Sequence, residues 1–202
     1  MSKRTLYGMS GSRAVRSLWA IEEVGIAYEH VPTSFQKESK APEYLATNPN
    51  GKIPALVDGD VTLFESMAIN LYLAKNYGGD LYPADAATEG LTWQWSVWGI
   101  SEIEPLQMAI LVQKLFVAEE KRNEKLITSS AKQLARPLAV LDQTLSDRDW
   151  LATDQFSIAD LNLAGVMLLL SVIEFEYSQY THVKRWADAC YARPALQRAQ
   201  AR

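Results

Sequence analysis

Residues 48–69 read NPNGKIPALVDGDVTLFESMAI, and the fold turns on them. Asn48-Pro49-Asn50-Gly51-Lys52 is a turn signal. Ile53 to Val57 reads as a strand, Asp58-Gly59 as a hairpin turn, and Val61 to Phe64 as the returning strand. Pro54 stands at the start of the first strand, which suits a strand's first residues, an edge or a cis bond. Ser66 opens a helix that reaches about Asn76, and Gly78-Gly79 ends it. The stretch is therefore a strand pair followed at once by a helix.

Before it, Thr5-Leu6-Tyr7 is a short strand bounded by Gly8 and the small residues Ser10-Gly11-Ser12. Val15, Leu18, Trp19 and Glu22-Glu23 follow helical spacing from about Arg13 to Val24, and Gly25 closes that helix. Ala27 to Val31 reads as a second strand stopped by Pro32. Strand, helix, strand implies a parallel pair joined by a crossover. A polar segment, Ser34 to Lys40, and a short helix near Pro42 to Ala46 complete the connection.

After it, from about Tyr82, strand alternation stops and the pattern is helical throughout. Trp93, Val97 and Ile100 form one stripe of a long helix that continues past Pro105. Ile127, Ala131, Leu134, Leu138, Leu141 and Leu145 form an apolar seam, with Pro137 set to kink or break it. Phe156-Ser157-Ile158-Ala159-Asp160-Leu161 is a capping box, Ser157 as cap and Asp160 returning a bond, with Phe156 and Leu161 spaced as a staple. The helix it opens, to about Ile173, is apolar nearly all round and belongs at the centre of a helical core. The fold class is α/β plus all-α: β-α-β, then β-β-α, then a helical bundle, divided into domains 1–79 and 80–202.

Composition narrows the function. Of 202 residues, 48% are hydrophobic and 22% charged, ordinary for a globular protein, and the net charge of −4 with no long basic run argues against nucleic acid. Arg193, Arg198 and Arg202 read as a solvated basic face. The strongest apolar stretch, Leu163 to Ile173, is short of the roughly 20 residues a bilayer span takes, and no signal-peptide pattern follows Met1, so no membrane partner is expected. A single cysteine, Cys190, allows no internal disulfide and reads as a core side chain; His30 and His182 have no ligand spacing, so no metal is expected. A cytoplasmic location follows as an expectation.

Three segments in this order resemble the glutathione transferase family over essentially the whole chain. They are Leu6-Tyr7-Gly8…Ser10-Gly11-Ser12-Arg13…Trp19 to Glu29; Asn48 to Leu56 with Leu63-Phe64-Glu65-Ser66-Met67-Ala68-Ile69; and Phe156 to Asp160. The Glu22-Glu23-Val24-Gly25 helix end and the Glu104-Pro105 pair are most similar to bacterial members. The resemblance implies a thioredoxin-like N-terminal domain, a helical C-terminal domain, a homodimer, and detoxifying conjugation of reduced glutathione, the co-substrate, to small hydrophobic electrophiles.

It also implies a site. Ser66, at a helix start where unpaired N–H groups favour an anion, would bind the γ-glutamyl carboxylate, and Glu65 its ammonium. A cis Pro54 would turn the Ile53 backbone towards the cysteinyl unit of glutathione, like an added strand. Lys52, Lys40 and Gln36 are candidates for the glycyl carboxylate. The thiol must become a thiolate, which a hydroxyl at the head of the first helix favours. Ser12 is the first choice because it directly precedes the helix, Ser10 is the second, Tyr7 lies too early, and Arg13 adds positive potential. With no cysteine near this segment, mixed-disulfide chemistry is disfavoured. Met9, Trp98, Ser101, Glu102 and Pro105 are candidates for an apolar electrophile pocket between the domains, and Glu102 for an acid offered to the partner subunit. The competing reading is a non-catalytic protein of the same fold that binds transcription or translation machinery.

Overall fold

In the computed structural model, which describes residues 4–202, β1 (Arg4–Tyr7) lies parallel to β2 (Glu29–Val31) and antiparallel to β3 (Ala55–Asp58). β3 pairs antiparallel with β4 (Val61–Phe64), so the sheet order is β2-β1-β3-β4. The register sets Leu6 opposite both His30 and Leu56, and Leu6 and Leu56 are fully buried. The crossover is α1 (Val15–Val24), closed by Gly25 in the left-handed conformation (φ 74°), where glycine pays no Cβ penalty. α1 starts two residues later than its apolar spacing predicts, because a tight turn, Val15 N–H to Ser12 C=O at 3.0 Å, precedes it. α2 (Pro42–Leu45) and α3 (Ser66–Tyr77) complete the expected β-α-β and β-β-α order.

This sheet and its helices form one compact unit, comprising the residues up to Ala84 together with Ala192–Arg202; the other unit is Asp85–Tyr191. Relative to the expected division at 79/80, residues 80–84 and 192–202 fall in the first unit. α9 (Pro194–Gln200) buries Ala195, Leu196 and Ala199 and packs on α1, not in the helical unit. The C-terminal arginines are not a solvated face either. Arg193 pairs with Glu23, and Arg198 and Arg202 pair with Glu22, the last residues but one and two of α1.

The helical unit is built on α4 (Ala86–Trp98), α5 (Glu104–Phe116), α6 (Glu124–Thr144), α7 (Ile158–Val172) and α8 (Thr181–Tyr191). α7 buries every residue from Ile158 to Met167, as its all-round apolarity predicts. Its capping box is formed, with Ser157 N–H donating to Asp160 at 3.0 Å. The seam of α6 holds at Leu134, Leu138, Leu141 and Leu145, all fully buried, and Pro137 is contained within one continuous helix. The structure adds two details. The stripe of Trp93, Val97 and Ile100 faces outward, at 49%, 63% and 37% exposure, while Thr92, Trp95 and Ser96 face the core. The long helix is also not uniform: Gly99–Ile103 is a π-helical turn. Pro105 has no N–H to offer the carbonyl four residues back, and widening the helix there accommodates it. A Cβ on Gly99 would meet Leu163 at 2.8 Å, so this glycine permits the close approach of α4 and α7. Cys190 is fully buried, as its core reading requires.

Candidate functional site

Gly8 is where the N-terminal site is assembled. It ends β1 with φ 146°, and a Cβ there would lie 2.3 Å from the Ala14 Cβ and 3.8 Å from that of Ile53. The strand end, the head of α1 and the loop entering β3 therefore meet at one residue that must lack a side chain. Thr33 N–H donates to the Gly8 carbonyl at 3.3 Å, and a His30 ring nitrogen lies 2.9 Å from the same oxygen.

Between Gly8 and α1 run Met9 to Ser12. The Ser12 hydroxyl donates to the Met9 carbonyl at 2.7 Å and accepts from Ala14 N–H at 3.1 Å. Its oxygen is thus held at the turn that leads into α1, while its proton satisfies a carbonyl three residues back. The Ser10 hydroxyl donates elsewhere, to the carbonyl of Arg202 at 2.8 Å. Tyr7 belongs to β1 and packs edge-on against Tyr44, ring centroids 5.7 Å apart.

The Ile53–Pro54 peptide is cis. Strand pairing begins one residue later, with Ala55 opposite Tyr7 and Phe64, so the Ile53 backbone stands outside the ladder. Two donors fix the preceding carbonyl, that of Lys52: the Tyr44 hydroxyl at 2.6 Å and the Asn48 amide at 2.7 Å. Burial pushes the Tyr44 phenol up to about 12, so it remains a donor across the physiological range. Neither residue was legible as part of a site. Asn48 was visible only as the start of a turn, and Tyr44 had no signal, because its role depends on the loop folding over it.

Glu65 and Ser66 form the third part. Glu65 has φ 72° and ψ 113°, a conformation that costs a residue with a side chain roughly 1–3 kcal/mol. Such strain persists where the surroundings enforce it, and it marks sites more often than plain turns. Ser66, 8% exposed, is the first residue of the 12-residue α3, which Glu65 does not cap with its side chain, and the first-turn N–H groups of a helix favour an anion. Lys40 and Lys52 are both exposed, but the Lys40 ammonium donates to the Gly51 carbonyl and so braces the loop before Ile53; Gln36 is exposed.

Among the described residues no group of three or more histidines, cysteines or acids could hold a metal, and no helix is long and apolar enough to cross a membrane. Of the electrophile-pocket candidates, Ser101, Glu102 and Pro105 are exposed on or beside the π-helical turn, and Trp98 packs edge-on against Trp95.

Residues 2–75 match the glutathione S-transferase N-terminal domain, and residues 104–194 the C-terminal domain. The chain belongs to the glutathione S-transferase family. Glutathione S-transferase 3 of Zea mays is 38% identical, with 100% of this chain and 95% of the relative covered. Among solved structures, the theta class glutathione S-transferase of Xanthomonas axonopodis pv. citri with glutathione bound superposes with a TM-score of 0.89 at 29% identity, covering 100% of this chain and 99% of that one. Glutathione S-transferase I bound with lactoylglutathione reaches 0.88 at 32% identity, with 99% of each chain covered. The fold is thus the glutathione transferase fold, a thioredoxin-like unit with a helical one. Relatives of plant and bacterial origin both match, so the similarity to bacterial members in particular is not singled out.

Proposed function

We propose that this glutathione transferase activates the thiol of glutathione through the Ser12 hydroxyl and conjugates it to small hydrophobic electrophiles. One observation carries the choice of serine. Ser12 Oγ is anchored at the head of α1 by the Ala14 N–H, while its proton is held only by a local carbonyl and can turn to a sulfur. The N-terminal field of α1 adds to the stabilisation of a thiolate there. Ser66 and the uncapped turn of α3 would take the γ-glutamyl carboxylate and Glu65 the ammonium. The Ile53 N–H and C=O would pair with the cysteinyl unit. For the glycyl carboxylate Lys52 is favoured over Lys40, whose ammonium already serves Gly51.

A homodimer in a reducing cytoplasm, acting in detoxification, completes the reading. The outward face of α4, with Trp93 and Val97, is the apolar surface a second copy would cover. The single, buried Cys190 suits a reducing compartment. No observation favours the reading as a non-catalytic partner of transcription or translation machinery.

Replacing Ser12 by Ala should lower conjugation about ten- to hundredfold, the weight of a lost hydrogen bond to an anion, with retention on immobilised glutathione preserved. Ser66→Ala should weaken that retention. Parental turnover by Ser12→Ala would refute the thiolate assignment, and unimpaired retention of Ser66→Ala would refute the binding assignment.

A further inference from the structure

Residues 193–202 reach back to the Met9–Ser12 loop. The bond from Ser10 Oγ to the Arg202 carbonyl joins positions 192 apart in sequence. Arg202 is itself fixed: its Nε donates to Glu22 Oε1 at 2.9 Å, its Nη2 donates to the same oxygen, and its guanidinium carbon lies 5.3 Å from the centre of the Tyr28 ring. Tyr28 donates to that oxygen as well, at 2.7 Å. Arg198 closes the other side of Glu22, Nε to Oε2 and Nη2 to the backbone carbonyl, both at 2.9 Å. The Glu22 side chain is 9% exposed and at the far end of α1 from the loop, so one helix is gripped at both ends by one segment.

We infer that Arg202 and Glu22 are positioning residues for thiolate formation, acting through Ser10 to hold the Met9–Ser12 loop at the head of α1. This rests on Ser12 as the activating group. The other bonds of the loop are local ones at Ser12, to Met9, Ala14 and Val15. Gly11 is exposed, with only the Met9 methyl at 4.0 Å from where its Cβ would be. A donor that must meet a sulfur within a few tenths of an ångström loses effect when its loop wanders. Both hydroxyls donate to a backbone carbonyl, Ser10 to Arg202 and Ser12 to Met9, but Ser12 also accepts from the Ala14 N–H at the head of α1, which gives the two serines separate duties: Ser10 holds, Ser12 donates.

The test is the pH dependence of kcat/KM for conjugation, with the ultraviolet thiolate absorbance of bound glutathione, on the full chain. Arg202→Ala and Ser10→Ala should each raise the apparent pKa of the bound thiol by about one unit, which is about tenfold less thiolate. KM for glutathione should change less than about twofold, and combining the two should add little, as for partners in one contact. Arg202→Lys should recover part of the shift, by keeping a charge opposite Glu22. If Arg202→Ala and Ser10→Ala lose thermal stability while the thiol pKa stays parental, the contacts are structural only and the inference fails. If Ser10→Ala removes more thiolate than Ser12→Ala, Ser10 is the donor and the inference fails. If Ser12→Ala keeps the parental thiol pKa, the Ser12 reading falls and takes the inference with it. Should Arg202→Ala fail to fold, Ser10→Ala, which breaks no ion pair, decides alone.

Discussion

The helices at the heart of the two units use acids in opposite ways. α7 buries one, Asp160, completely at its N-terminal end and surrounds it with neutral donors: Leu151 N–H at 2.9 Å, Ser157 N–H and hydroxyl at 3.0 Å, and the Trp186 indole at 2.8 Å. α1 carries two, Glu22 and Glu23, near its C-terminal end, and meets them with arginines whose side chains are one third to one half exposed. The first arrangement ties together a loop, a cap and α8 within one unit, and removing the acid leaves several buried donors without an acceptor. In the second the acids are largely covered but their arginine partners reach the rim, where water can replace a lost partner and screening weakens the attraction. Buried Asp160 thus specifies the packing, and the acids of α1 adjust the alignment of a segment already held by the apolar face of α9.

Three substitutions probe that contrast. Asp160→Ala should have the largest effect, a loss of more than about 3 kcal/mol in denaturant unfolding, because a buried donor without a partner costs about 1–3 kcal/mol. A loss comparable to that at the rim would break the comparison. Glu22→Gln should cost about 1–2 kcal/mol, since the amide still accepts bonds but loses two arginine partners. It should also change the acid limb of the stability curve. Burial pushes the Glu22 carboxyl up, but bonds from Tyr28, Arg202 and Arg198 outweigh it and hold the group below its ordinary 4.5. A depressed carboxyl contributes stability that is full above the unfolded value and is lost as pH falls through the folded one. The gap between parent and Glu22→Gln should therefore be widest near neutrality and close in acid, and a pH-independent gap would refute the pairing. Glu23→Gln should have the smallest effect, below about 1 kcal/mol and shrinking with added salt, since it loses one charge pair with Arg193 and keeps an acceptor for the Trp19 indole.

How much could be read without coordinates follows the distance over which each feature is determined. The hairpin, its turn at Gly59-Asp60 lying one residue beyond the expected Asp58-Gly59, the α7 capping box and the α6 seam were all legible, since each depends on residues a few positions apart. Candidates for the site could be named by residue type, Ser12, Ile53-Pro54 and Glu65-Ser66, from local pattern and family resemblance. Spacing left the facing of α4 open, because Trp93 and Val97 satisfy helical spacing as well as Trp95 and Ser96 do, and burial is decided by what packs against a helix.

By itself, then, the sequence determined the order of elements, the caps and turns, the apolar seams and the family to which the chain belongs. All of these are written in short-range spacing or in motifs. Only the tertiary structure decided that residues 192–202 return to the first unit, that three arginines meet Glu22 and Glu23, that Tyr44 and Asn48 hold the carbonyl before the cis peptide, and that the Ser10 hydroxyl donates to Arg202 while that of Ser12 donates to Met9. The physical reason is that a charge or a hydroxyl has no preferred partner along the chain. Its partner is whichever group the packed core brings within about 3 Å, and that is set by the apolar burial of α1 against α9 and of the sheet beneath it.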